Sequence, residues 1–88
     1  MRRQRATVKK MEPPSQLDPQ ERAIVLRLKD LRTEKGVSAN ALAAKIKVDR
    51  STITHMEADR TRPTLWLLLK IAKGLDVQLS EVLAELGC

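Results

Sequence analysis

From residue 18 onward, apolar residues recur at helical spacing in five short segments. In the first, Asp18 precedes Pro19, and Glu21 lies three positions after Asp18. A capping carboxylate, a proline at the first helical position and an acidic third residue together make a helix start. Ile24, Leu28 and Leu31 then fall at i, i+4 and i+7, on one face of a helix running to about Lys35. Gly36 follows, where a helix end favours a left-handed residue. Ser38 caps a second helix over 39–46 that buries Leu42, Ala43 and Ile46. Asp49 caps a third over 50–57, with Ile53 and Met56 inward and Arg50, Ser51, Thr54 and His55 outward. A polar loop, Ala58 to Pro63, leads to Thr64, which caps a fourth helix over 65–73 ended by Gly74. Its inner stripe is read as Leu65, Leu68, Leu69 and Ala72. Ser80 caps a last short helix, 81–86, carrying Val82, Leu83 and Leu86. The pattern predicts an all-α, five-helix domain over residues 18–87, with no internal repeat.

Composition supports helices. The chain has one Trp, no Phe and no Tyr, so its core must be aliphatic, and Gly is scarce. Of 88 residues, 42% are apolar, enough for one small globular domain. No apolar run approaches the roughly 20 residues of a membrane span. Met1-Arg2-Arg3 is not followed by the apolar stretch of an export signal. The single Cys88 excludes an internal disulfide, and with the single His55 it excludes a four-ligand zinc site. No phosphate-binding glycine loop or catalytic set is assembled. The chain is therefore expected to be cytoplasmic, non-enzymatic, and without metal or cofactor.

Charge adds direction. The net charge is +6, with Arg2, Arg3, Arg5, Lys9 and Lys10 standing against Glu12 in residues 1–15. Residues 1–17 also hold Pro13-Pro14 and little apolar periodicity, so they are expected to be a flexible basic arm. Such an arm suits nucleic acid, or serves only for solubility. A membrane surface is disfavoured, because residues 1–15 form no amphipathic helix with a bulky apolar face.

The informative stretch is residues 38–57. Two short helices joined by a very short turn form the unit whose second helix enters the DNA major groove. The outer side of that helix offers Arg50, Ser51, Thr54 and His55, all able to hydrogen-bond base edges. Thr52 lies three after Asp49 and serves either the cap or a phosphate. Arg60, Thr61 and Arg62 flank the reading helix as phosphate candidates.

The runs Val37-Ser38-Ala39-Asn40-Ala41-Leu42-Ala43 and Val48-Asp49-Arg50-Ser51-Thr52-Ile53-Thr54-His55-Met56-Glu57 resemble the lambda-repressor-like, or XRE, helix-turn-helix family. Arg62-Pro63-Thr64-Leu65 and Leu69-Lys70-Ile71-Ala72-Lys73-Gly74-Leu75 extend the resemblance over residues 24–86. It looks most like the small single-domain members, such as the controller proteins of restriction–modification systems. The resemblance implies a five-helix domain that binds an operator as a homodimer and regulates transcription, most simply as a repressor or autoregulator. It also implies that Ser38 contacts a phosphate at the second helix start, and that Arg32 and Glu57 form a partly buried ion pair. Two positions depart from the family: Ala39 replaces a phosphate-contacting Gln, and Lys47 replaces the turn Gly. Trp66 and Leu67 stand where relatives carry polar residues. They form either a wider core or, with Leu83 and Leu86, a self-association patch. The alternative function is a protein-interaction module, an antitoxin with a toxin partner or an antiactivator, which Ala39, Lys47 and Trp66-Leu67 would favour.

Overall fold

Helix starts set the architecture, because the first N–H groups of a helix have no partner within it. The computed structural model describes residues 18–88; the basic arm expected over 1–17 lies outside the described residues. Five helices follow in order: α1 (Pro19–Glu34), α2 (Ala39–Ile46), α3 (Arg50–Glu57), α4 (Leu65–Gly74) and α5 (Leu79–Glu85). No strand occurs among the described residues, so the fold is all-α. The Asp18 N–H donates to Glu21 Oε1 at 3.3 Å. Ser38 Oγ accepts from the Ala41 N–H at 3.0 Å, and Thr64 Oγ1 from the Leu67 N–H at 3.1 Å. Asp49 occupies the cap position of α3 through its backbone alone, its carbonyl accepting from the Thr52 N–H at 3.0 Å.

The core joins all five helices. Val25 and Leu28 come from α1, Leu42, Ala43 and Ile46 from α2, and Ile53 and Met56 from α3. Leu67, Ile71, Ala72 and Leu75 come from α4 and its end, and Leu79 and Val82 from α5. In α1 the buried centre is Val25 with Leu28; Ile24 and Leu31 only flank it. The α1–α5 contact is also tied at the surface, where Arg27 Nε donates to Glu85 Oε1 at 2.8 Å.

Two local expectations are corrected. The last helix starts at Leu79 with Gln78 as its cap residue, and Ser80 lies within its first turn. Leu79 and Val82 are both buried, and their i, i+3 spacing draws the start back from Ser80. Gly74 ends α4, as its position suggested, and the left-handed residue of the exit is Asp76, at φ 59°. Glycine is needed at 74 for closeness, since a Cβ there would stand 2.8 Å from Ile46 Cγ2 and 2.9 Å from Leu42 Cδ1.

The second correction is the register of α4. Leu67 is 6% exposed and belongs to the core, so it leaves the set of self-association residues. Leu65 and Leu69, expected inside, are 66% and 50% exposed, and Trp66 is 56% exposed. The cause is Gly74. Its seat against α2 fixes the buried stripe at Leu67, Ile71, Gly74 and Leu75, which are i, i+4, i+7 and i+8. Leu65, Trp66 and Leu69 then fall outward.

Candidate nucleic-acid interface

The two-helix unit is built from α2, three residues and α3. The chain leaves α2 through Lys47 in the left-handed region, at φ 63° and ψ 48°. That single residue reverses the chain tightly enough for the Val48 N–H to reach back to the Ala43 carbonyl at 2.9 Å. A side chain there costs about 1 kcal/mol relative to glycine. Ala39, in the first turn of α2, is partly buried against the core, so it spends its side chain on packing.

Ile53 and Met56 anchor α3 at 0% and 1% exposure. Opposite them, Arg50, Ser51, Thr54 and His55 are all exposed, and Thr52 is half-buried. The Thr54 hydroxyl donates to the Ser51 carbonyl at 3.3 Å, which leaves its oxygen lone pairs able to accept. Beyond α3, Asp59 takes φ 64° and the Arg60 N–H closes on the His55 carbonyl at 2.8 Å. This turn carries exposed Arg60, Thr61 and Arg62 alongside the helix. Arg62 Nε also pairs with Glu21 Oε2 of α1 at 3.2 Å. Ser38 is exposed at the start of α2; its oxygen caps the helix, so its hydroxyl proton is available to an outside acceptor.

Behind the exposed face lies an ion pair. Arg32 Nε and Nη2 each donate to a Glu57 carboxylate oxygen at 2.8 Å, and Arg32 Nη1 donates to the Val37 carbonyl at 2.8 Å. The two side chains are only 12% and 10% exposed. Arg22 Nη1 adds a bond to the Glu57 carbonyl at 3.2 Å. Glu57 is the last residue of α3, where its negative charge opposes the helix dipole, and both guanidinium groups offset that. The C-terminal end of α3 is thus held by α1 from two directions.

Comparison with known proteins places this geometry. A helix-turn-helix family model, HTH_3, matches residues 28–82, well over half of the chain. The chain belongs to that family. HTH_3 is an XRE-like family of non-enzymatic, DNA-binding transcription regulators. An immunity repressor protein of Bacillus phage phi105 is 34% identical over 59 residues, which cover 67% of this chain and 41% of that protein. The chain therefore spans under half the length of this relative. The restriction–modification controller protein C.Esp1396I, as a tetramer in complex with its natural 35-base-pair operator, superposes with a TM-score of 0.72 at 28% identity. That match covers 80% of this chain and 92% of the other. The controller protein C.AhdI from Aeromonas hydrophila matches with a TM-score of 0.64 at 33% identity, covering 72% and 94%.

Within this HTH_3 domain the residues named from sequence separate into three places. Arg50, Ser51, Thr54 and His55 share the outer face of α3, with Arg60, Thr61 and Arg62 on the adjoining loop. Arg32 and Glu57 meet beneath it. Leu83 and Leu86 are partly buried against the core, on α5 and at its end. Sequence reasoning missed Arg22, whose contact joins positions 35 apart, and the Arg62–Glu21 pair. The capping role of Glu21 was visible, but its second partner had no local signal. Among the described residues no cluster of metal-ligating side chains occurs, and no helix is long and apolar enough to cross a membrane.

Proposed function

We propose that this HTH_3 protein binds a double-stranded operator as a homodimer, reads it with α3, and represses or autoregulates transcription by occupancy. The observation that carries this is the outer face of α3: four exposed hydrogen-bonding side chains over a fully buried Ile53–Met56 anchor, braced from behind by Arg32 and Glu57. Arg50 and Ser51 sit in the first turn, the end that approaches base edges in this motif. Ser38, Thr52, Arg60, Thr61 and Arg62 fix the register on phosphates, and the arm over 1–17 adds sequence-independent affinity. No metal, cofactor or membrane takes part.

A single reading helix covers too few base pairs to select one genomic site, and two-fold pairing doubles them. Leu65 and Leu69, one turn apart on α4 and both exposed, supply apolar surface for it together with the uncovered parts of Leu83 and Leu86. The phage immunity repressor and the operator-bound controller tetramer support a repressing, self-associating regulator.

The test is selection of bound duplexes from a random 30-base-pair pool, followed by affinity measurements on the selected and random DNA. An inverted repeat with half-sites about one helical turn apart is expected. Arg50→Ala should lose about 1–3 kcal/mol on the selected site and relax one base pair. Equal losses on both duplexes would move Arg50 to the phosphate class. Leu65→Lys with Leu69→Lys should give a folded monomer in sedimentation equilibrium. A wild-type chain that stays monomeric on and off the operator would sink the dimer.

A further inference from the structure

On α4, successive residues are 100° apart, so its exposed surface divides into two flanks. Leu65 and Leu69 lie on the flank away from Gly74, which seats α4 against α2. Trp66 and Lys70 lie on the other flank, with the Lys70 ammonium 5.7 Å from the centre of the indole ring. On that flank an open groove of about 470 Å³ runs between α3 and the start of α4. Its walls include Ser51, Thr52 and His55 from the reading helix, Thr61 and Thr64 from the loop, and Trp66. Trp66 stands beside Leu69, three positions before it on the helix surface, and also borders the α3 side chains that line the groove.

We propose that this groove seats one sugar–phosphate segment of the bound duplex, with a deoxyribose packed on the Trp66 indole. The inference rests on the DNA-binding function proposed above. The groove is continuous with the outer face of α3, so a duplex docked on Arg50 and Ser51 passes a strand across it. Thr52, Thr61 and Thr64 line it and carry hydroxyls able to donate to phosphate oxygens, while Lys70 holds a positive charge beside the ring. The indole provides an apolar face for the sugar and an N–H for a phosphate, both independent of sequence. Trp66 thus sets affinity and register, and leaves base choice to α3.

Trp66 is the sole tryptophan and the chain has no tyrosine, so intrinsic emission reports this residue alone. The experiment measures acrylamide quenching of the full chain, first across a protein dilution series, then with saturating duplex selected as above. Binding is followed independently by anisotropy of labelled DNA. The quenching constant should fall severalfold with duplex and stay level across the dilution series. Trp66→Ala should weaken selected and random duplexes alike, by about tenfold, and Trp66→Phe should restore most of the loss. A duplex that binds while quenching stays unchanged overturns the proposal, with DNA binding itself intact. Quenching that falls on self-association without DNA overturns it too, and gives Trp66 to the contact between copies. If no duplex is selected at all, the DNA-binding function falls and this groove falls with it.

Discussion

Neutralising either member of the Arg32–Glu57 pair should destabilise this domain severely, and neutralising both should not destabilise it twice. Removing one partner of a buried ion pair costs about 3–5 kcal/mol, because the survivor stays desolvated and alone. At 12% and 10% exposure the pair retains a little water, which brings the expected loss to about 2–4 kcal/mol for Glu57→Gln. Arg32→Met should lose somewhat more, since the Val37 carbonyl also forfeits its donor, for about 1 kcal/mol. Roughly 70 ordered residues carry a total stability of about 4–10 kcal/mol, so either change removes a large share. In the double variant no uncompensated charge remains from the pair, and part of the loss returns.

Urea unfolding followed by circular dichroism gives the four free energies of the cycle. A coupling of about 1.5–3 kcal/mol is expected from two parallel 2.8 Å bonds at this burial. Additivity within about 0.5 kcal/mol would refute the reasoning, leaving the two residues independent despite their geometry. A second readout separates bracing from bulk stability. At temperatures where Glu57→Gln remains folded, its affinity for the selected operator should still fall, because α3 loses the contact that holds its C-terminal end to α1.

Two further outcomes follow from the same structure and one from the sequence. Lys47→Gly should raise stability by about 0.5–1 kcal/mol in thermal or urea unfolding, since φ 63° suits glycine and strains lysine; a loss would mean that the lysine makes a compensating contact. Gly74→Ala gains about 1 kcal/mol of helix propensity but forces a Cβ to 2.8 Å from the stiff, branched Ile46 side chain, so a net loss of about 1 kcal/mol is expected; Ile46→Val in the same background should restore part of it. Deleting residues 1–15 removes five basic side chains. It should flatten the slope of log affinity against log salt while leaving helicity and base preference unchanged.

Much of the fold was legible because its signals are local. Asp18-Pro19, Ser38, Asp49 and Thr64 each mark a helix start within two or three residues, and all four starts fall where those residues predict. The Ile53–Met56 spacing fixes which side of α3 faces inward, so the exposure of Arg50, Ser51, Thr54 and His55 follows from one turn of helix. The Arg32–Glu57 contact is of another kind. Its members are 25 positions apart, and no periodicity joins them; only the family resemblance drew them together. Arg22 and the Glu21–Arg62 pair lay beyond both kinds of signal.

The misreading of α4 shows where periodicity stops being informative. Leu65, Trp66, Leu67, Leu68, Leu69 and Ile71 put apolar side chains on every side of the helix, so several stripes fit the 3.6-residue repeat equally well. What chooses among them is the least conspicuous residue of the segment. Gly74 lets α4 approach α2 to a distance that a Cβ would forbid, and that contact rotates Leu67 inward and Leu65 and Leu69 outward. The same rotation leaves Leu65, Leu69 and Trp66 on one exposed side, with Trp66 at its edge beside α3. On the function and groove proposed above, α4 would offer Leu65 and Leu69 to a second copy and Trp66 to the DNA groove. Restoring bulk at position 74 should disturb both together, even though Gly74 itself lies in neither.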